Sequence, residues 1–229
     1  RPDTLDPVIL GIDTSLGTAV AVIDADGAVR ADAASADALG HAEIIGTLLE
    51  TAMTDAAHGP IGATGAPEAV ALTHVAAGMG PGPFTGLRVG IAAARAFALG
   101  RGIPVVPVRS HDAAALAVLL TDPFADVPRF AVVTDARRKE FAFTVYDGID
   151  DDGLPMRMTE ATLVKRDDVD AALAEHSAER RDTTVIPGAM VALVAARAVA
   201  AGRVEDLGEP LYLRAPDVTM PGPRKKVGQ

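Results

Sequence analysis

The chain has 229 residues, a formal charge of −10, no cysteine and no tryptophan, and is 49% hydrophobic with only 3% aromatic residues. Disulfide frameworks, thiolate catalysis, cysteine zinc sites and iron–sulfur clusters are thereby excluded, and the acidic balance argues against direct nucleic-acid binding through a basic face. No apolar run reaches the roughly 18 residues of a membrane span, and the first residues lack the charged-then-apolar layout of a signal peptide, so no membrane association and a cytoplasmic location are expected.

The apolar stretch 8–14 predicts a central strand, residues 15–17 a turn, and the β-branched run 18–23 a second strand. Asp26-Gly27 is a hairpin signal, with a third strand over 28–33. A helix is expected over 41–57, where Ile44, Ile45, Leu48, Leu49, Ala52 and Met53 recur at helical spacing. A Gly/Pro-rich loop at 59–67, to which no role is assigned, precedes a strand at 69–75. A Gly/Pro turn at 78–83 then launches a helix to about residue 100, with Thr85 as its expected cap. Gly86, Gly90, Ala94 and Ala98 lie four apart on one face of that helix. Interior glycines cost a helix about 0.5–1 kcal/mol each relative to Ala, so this face implies a neighbour at very short range: the 41–57 helix, a partner's helix, or both.

The run 103–108 is extended, but its prolines keep it out of the middle of a sheet. Ser110 reads as the N-cap of a helix through 120. Strands follow at 129–135 and 141–147 around a charged turn, then a third strand at 158–164, a helix at 167–176, a strand at 183–186 and an Ala-rich helix at 190–201. The order strand-strand-strand-helix-strand-helix thus occurs twice. It points to an α/β protein of two ribonuclease-H-like halves, the actin/sugar-kinase (ASKHA) arrangement, each half a mixed sheet flanked by helices. The halves are placed at 1–108 and 109–215, with a flexible, basic-ended tail at 216–229.

Chemistry-bearing candidates are few. Asp13, Thr14 and Ser15 at a strand end form either an Asx-type turn or a cofactor-binding group in which the carboxylate orients a metal or water near phosphate. The 78–83 loop has no Gly-Lys-Ser/Thr, and its prolines remove backbone donors that a phosphate cradle would use. The five histidines show no zincin spacing, and no Gly-x-Ser-x-Gly elbow is present, so no catalytic residue and no metal site is assigned.

The string Gly80-Pro81-Gly82-Pro83-Phe84-Thr85-Gly86-Leu87-Arg88-Val89-Gly90 resembles the Gly-Pro-Gly-Ser-Phe-Thr-Gly-Leu-Arg signature of the TsaB (YeaZ) family, with Pro83 where many relatives carry Ser. Leu10-Gly11-Ile12-Asp13-Thr14-Ser15, His41-Ala42-Glu43, Asp135-Ala136-Arg137 and Pro210-Leu211-Tyr212-Leu213-Arg214 match in the same order. The resemblance implies a non-catalytic relative of TsaD that supports transfer of a threonylcarbamoyl group to N6 of the adenosine 3′ of the anticodon, in tRNAs reading codons that start with A. It further implies a TsaD-type transferase and a TsaE-type ATPase as partners, with ATP and metal on those subunits rather than bound tightly here. Contact with tRNA would come only through the complex, and the isolated chain would tend to dimerise. The implied interface lies in the first half, with Ile44, Ile45, Leu48, Gly86, Arg88, Gly90, Ile91 and Ala94 as candidates. The alternative is an active kinase or ATPase of the same superfold with Asp13 near phosphate.

Overall fold

The computed structural model describes residues 7–37, 40–63, 66–122 and 127–214. β1 (Ile9–Asp13), β2 (Thr18–Ile23) and β3 (Val29–Ser35) form an antiparallel meander. α1 (His41–Ala56) leads to β4 (His74–Gly78), which pairs parallel with β1. α2 (Phe84–Arg101) leads to β5 (Val105–Val108), parallel to β4. The strand order is β3-β2-β1-β4-β5, which puts Pro107 on an edge strand. There its missing N–H need not break a ladder.

α3 (Ser110–Thr121) crosses to a second sheet. β6 (Phe130–Asp135) and β7 (Glu140–Ile149) form a hairpin. β8 (Pro155–Arg157) and β9 (Thr162–Lys165) pair with successive parts of β7. A single 3-10 turn at Arg166–Asp168 enters α4 (Val169–Glu175), followed by β10 (Glu179–Asp182), parallel to β6, and α5 (Gly188–Ala200). The order here is β10-β6-β7-β8.

The expected duplication is therefore present, with local differences. The strand expected at 69–75 begins only at His74, because Val70 serves the core without joining the sheet. The single strand expected at 158–164 is two short ones, β8 and β9. The strand expected at 183–186 lies earlier, on the charged Glu179–Asp182. Caps differ too. Pro83 and Arg109 precede α2 and α3, so Thr85 and Ser110 are already helical and neither caps its helix.

The elements stack in five layers: α1 and α2, the first sheet, α5 with α3, the second sheet, and α4. Side chains alternate across the first sheet as a strand requires. Leu10, Ile12, Val20 and Val75 face α1 and α2, while Ile9, Ala21, Ile23 and Ala76 face the α5/α3 layer. α5 lies directly on β1 and β2, with Gly11 against Gly188. A Cβ at Gly11 would overlap the Gly188 carbonyl and stand 2.9 Å from Ala192 N. The last helix among the described residues therefore roofs the first sheet, and the layer of α3 and α5 is shared by both halves.

Beyond α5, residues 203–214 run back over the first half. Leu207, Leu211 and Tyr212 pack on the α1/α2 core, Leu211 N donates to Met79 O at 2.8 Å, and Arg95 donates to Gly208 O at 3.0 Å. Glu205 of this strap joins an ion network. Arg109 pairs with Glu205 (2.8 Å) and Glu160 (2.5 Å), and Arg157 with Glu205 (2.8 Å) and Asp112 (2.7 Å). Tyr146 donates to Asp112 at 2.7 Å. The tail placed at 216–229 lies outside the described residues.

Candidate functional site between the two halves

Asp13 closes β1 and is buried, as are Thr14 and Ser15. Its Oδ1 accepts from the Ser15 N–H at 2.7 Å and from the Ser15 hydroxyl; its Oδ2 accepts from Ser110 Oγ at 2.5 Å. Ser110 in turn accepts the Gly80 N–H at 3.0 Å. Gly78 makes room for the carboxylate, since a Cβ there would stand 2.7 Å from Asp13 Cγ. Burial raises the Asp13 pKa, against the opposing pull of the Ser110 and Ser15 bonds. Both oxygens are thus committed to the chain itself. The hydroxyl of Thr14 is committed as well, donating to Gly86 O at 2.7 Å. Asp13, Thr14 and Ser15 knit β1 to the starts of α2 and α3.

The small-residue face of α2 also finds its neighbour here. A Cβ at Gly86 would come within 2.7 Å of Thr14 O and 3.0 Å of His41 Nε2, and one at Gly90 would overlap Thr14 Oγ1 and lie 2.9 Å from its Cγ2. The glycine end of the face therefore packs on the end of β1 and on His41, which opens α1, while Ala94 and Ala98 share the buried core with Ile45 and Ala52 of the expected helix α1. Of the eight interface candidates, Ile45, Gly86, Gly90, Ile91 and Ala94 are buried within the chain, Ile44 and Leu48 are half-buried, and Arg88 is exposed. The Arg88 guanidinium stacks 3.7 Å from the Phe84 ring centroid and donates to Tyr212 Oη at 3.0 Å. Arg88 and Arg95, both exposed, hold the strap through Tyr212 Oη and Gly208 O.

A cleft of about 630 Å³ opens between the halves. One wall is residues 81–86 with Leu16 and His41; the other is residues 134–138 with Ala142 and Leu163; residues 212–214 close the end. All five strings that carry the TsaB resemblance contribute to this cleft or to the junction beneath it. Phe84 and Tyr212 form a tilted ring pair, centroids 4.7 Å apart and planes at 35°. Arg137, Arg138 and Lys139 at the β6–β7 tip have φ of 62°, 52° and 63°, three successive left-handed residues that L side chains disfavour. Burial would raise the Asp135 pKa, but the Arg137 N–H (2.7 Å) and the Arg166 guanidinium (2.7 Å) outweigh it and hold the carboxyl below its ordinary value. Arg214 pairs with Glu140.

Two histidines flank this region. His41 is 5% exposed, and its Nδ1 lies 2.8 Å from Thr18 Oγ1. His111 is enclosed, with Nδ1 at 2.8 Å from Thr144 Oγ1 and Nε2 at 2.9 Å from Thr134 Oγ1, and burial pushes its pKa down to about 3. Sequence reasoning singled out neither histidine for the cleft, nor Thr134, nor Leu16. The usable signal was that His41 and residues 135–137 and 210–214 fell within matching strings. Among the described residues, no three His, Asp or Glu side chains converge as a metal-binding group.

Two ribonuclease-H-like sheets with a cleft between them define the ASKHA class of fold. The family model described as TsaD: tRNA N6-adenosine threonylcarbamoyltransferase matches residues 35–155, more than half of the chain, and the chain belongs to that family. It is 38% identical over 144 residues to an uncharacterized protein of Mycobacterium tuberculosis, a match covering 62% of this chain and 60% of that one. An uncharacterized Mycobacterium leprae protein is 37% identical over 147 residues, covering 62% of this chain and 36% of that one. The chain thus spans less than two thirds of the length of these relatives. Among solved structures, YeaZ from Pseudomonas aeruginosa superposes with a TM-score of 0.69 at 21% identity, over 90% of this chain and 100% of that one. A Pseudomonas aeruginosa protein described as uncharacterized, with similarity to peptidase YEAZ, gives the same TM-score and identity over 91% and 100%. These likenesses establish the fold, and the resemblance to TsaB (YeaZ) read from the motifs agrees with them.

Proposed function

We propose that this chain is a non-catalytic subunit that binds a TsaD-type transferase and supports formation of N6-threonylcarbamoyladenosine beside the anticodon of tRNAs reading codons that start with A. The observation that carries this reading is that both Asp13 oxygens accept hydrogen bonds from the chain's own donors. The carboxylate that an ATPase of this superfold would turn toward phosphate is here spent on Ser15 and Ser110. ATP and metal then belong to the transferase and to a TsaE-type ATPase, tRNA is met through the assembled complex, and the setting is the cytoplasm. Among the described residues no helix is long and apolar enough to cross a membrane.

The outer face of α2 suits the partner better than the buried small-residue face. Ala92, Ala96 and Leu99 form an exposed apolar stripe at helical spacing, Leu99 being 84% exposed, and Arg88 flanks it. Ile44 and Leu48 on α1 are half-buried beside it, and α1 packs against α2. Homodimerisation of the isolated chain would use the same face.

The test is co-purification with the TsaD homologue from the native cell. Ala96→Glu, an exposed position, should abolish the association while leaving the melting temperature unchanged. Gly90→Glu is unsuitable, because any side chain there strikes Thr14. An Ala96→Glu chain that still binds with unchanged affinity would overturn the interface. Tight Mg-ATP binding by the isolated chain, read by calorimetry, would overturn the non-catalytic reading in favour of the kinase alternative.

A further inference from the structure

The chain-wide charge of −10 hides an uneven distribution. Arg137, Arg138 and Lys139 follow one another at the β6–β7 tip, and all three are exposed. Their backbones are left-handed, with φ of 62°, 52° and 63°, a conformation that turns ordinarily give to Gly or Asn. β9 brings two more cations to the same place. The Arg166 N–H donates to Lys139 O at 3.0 Å, and Lys165 stands opposite Glu140 in the β7–β9 register. Arg214 arrives on the strap and pairs with Glu140, and Arg166 pairs with Asp135 at 2.7 Å. Arg137, Arg138, Lys139, Lys165, Arg166 and Arg214 thus meet only Asp135 and Glu140 at the tip.

The excess is local. Asp167 and Asp168 continue the 3-10 turn beyond Arg166, toward α4. On β10 the cations are matched: Arg180 pairs with Asp170 (3.1 Å) and Asp182 (2.8 Å), and Arg181 with Glu179 (2.7 Å). Like charges held close together repel, and Arg166 and Arg180 are brought closer still by sharing the Phe141 ring, at 5.1 and 4.8 Å from its centroid. An external anion relieves that repulsion. The spread of the cations defines its shape. Arg137, Arg138 and Arg214 edge the cleft, whereas Lys139, Lys165 and Arg166 lie outside its lining. A small anion enclosed in the cleft would meet only the first three. A row of phosphates laid across the tip would meet both sets.

We propose that the β6–β7 tip is a docking surface for an RNA phosphate backbone, and that it is this chain's own contribution to holding tRNA in the assembled complex. The choice of RNA as the polyanion rests on the subunit reading; the contact itself rests on the local charge. Arg and Lys on phosphates position a nucleic acid without reading its bases, so the tip adds affinity and orientation rather than sequence choice. It belongs to the second half, whereas the face assigned to the transferase lies on α2 of the first. One subunit therefore offers different elements to protein and to RNA.

The experiment titrates the full isolated chain into a fluorescently labelled anticodon stem-loop RNA at several salt concentrations, read by anisotropy. Binding in the range of about 1–100 μM is expected, and it should weaken as salt rises, each phosphate contact adding about 0.7–0.9 to the slope of log affinity against log salt. The triple variant Arg137→Asn, Arg138→Asn, Lys139→Asn keeps residues that tolerate the left-handed backbone. It should lower that slope by about two and weaken binding about tenfold or more, with no fall in melting temperature. Arg137→Lys with Arg138→Lys keeps the charge and should retain binding. Arg181→Asn, in the matched region, should change neither affinity nor slope. The proposal is overturned if the unaltered chain shows no salt-dependent binding, if the triple variant binds as the unaltered chain does, or if Arg181→Asn weakens binding as much. It is also overturned if polyglutamate of equal charge binds as tightly as the RNA, which would make the partner an acidic protein. The measurement requires no transferase, so its failure leaves the subunit reading standing, and a failed co-purification leaves this result standing.

Discussion

The two halves repeat one plan with different materials. The first sheet has five strands and is covered on both faces by long helices, α1 and α2 on one side and α5 on the other. Among the described residues the second has β10 in the place of β4, no counterpart of β5, and one outer helix of seven residues. The first half is sealed by backbone-to-backbone approach, as at Gly11 and Gly188. The second relies on polar clamps: His111 between two threonines, and Arg157 between Asp112 and Glu205. The halves also use their helix-opening histidines differently. His111 near the start of α3 engages threonine hydroxyls through both nitrogens, while His41 at the start of α1 engages Thr18 through Nδ1. Close packing tolerates no added atom, whereas polar clamps respond to charge and pH.

The contrast can be broken most severely at Gly11. Gly11→Ala pushes a methyl group into the α5 backbone, which cannot move without lifting off the sheet. A loss on the order of 3 kcal/mol or more is expected in urea unfolding, and a loss below ~1 kcal/mol would show that α5 slides freely. Arg157→Ala removes the cation beside the nearly enclosed Asp112, whose pKa burial already raises. The expected cost is about 2–3 kcal/mol, and Asp112→Asn in the same background should recover part of it.

A pH series sharpens the same contrast. The His111 pKa falls from 6.5 when unfolded to about 3 in the fold, so between those values the unfolded chain binds the extra proton. Stability is full above about 6.5 and is lost as the pH falls towards 3, by up to about 1.4 kcal/mol per pH unit. Asp13 and Asp112 oppose this at the acid end, because their raised pKa values make the folded form the better proton binder. Melting temperatures from pH 7 to pH 5 should drop in the unaltered chain and flatten in His111→Gln. The smallest effect is expected on the β10 edge. Arg181→Ala removes an exposed pair with Glu179 and should cost less than about 0.5 kcal/mol.

The sequence was most legible where one face of an element is apolar and the other is not. β1, β2, α1 and α2 fall within two residues of their predicted bounds, because periodicity and Gly/Pro punctuation agree there. β10 was missed because Glu179-Arg180-Arg181-Asp182 has no apolar pattern; its place comes from pairing with β6 and from charges that shield an edge. The small-residue stripe on α2 correctly announced a close neighbour, but helical spacing cannot say that the neighbour is a threonine 72 positions away. The cleft was legible only as separate strings. Residues 13–15, 41, 81–86, 135–138 and 212–214 are scattered through the chain, and only the fold brings their side chains together.

The roof that α5 forms over β1 and β2 also bears on the order in which the chain leaves the ribosome. Ile9, Ala21 and Ile23 emerge early, yet the helix that covers them is made of residues 188–200. During synthesis the first sheet therefore waits, one greasy face uncovered, until residues 188–200 are made. Neither half is a finished folding unit, and a fragment ending after β5 would expose that face to other nascent chains rather than to water alone.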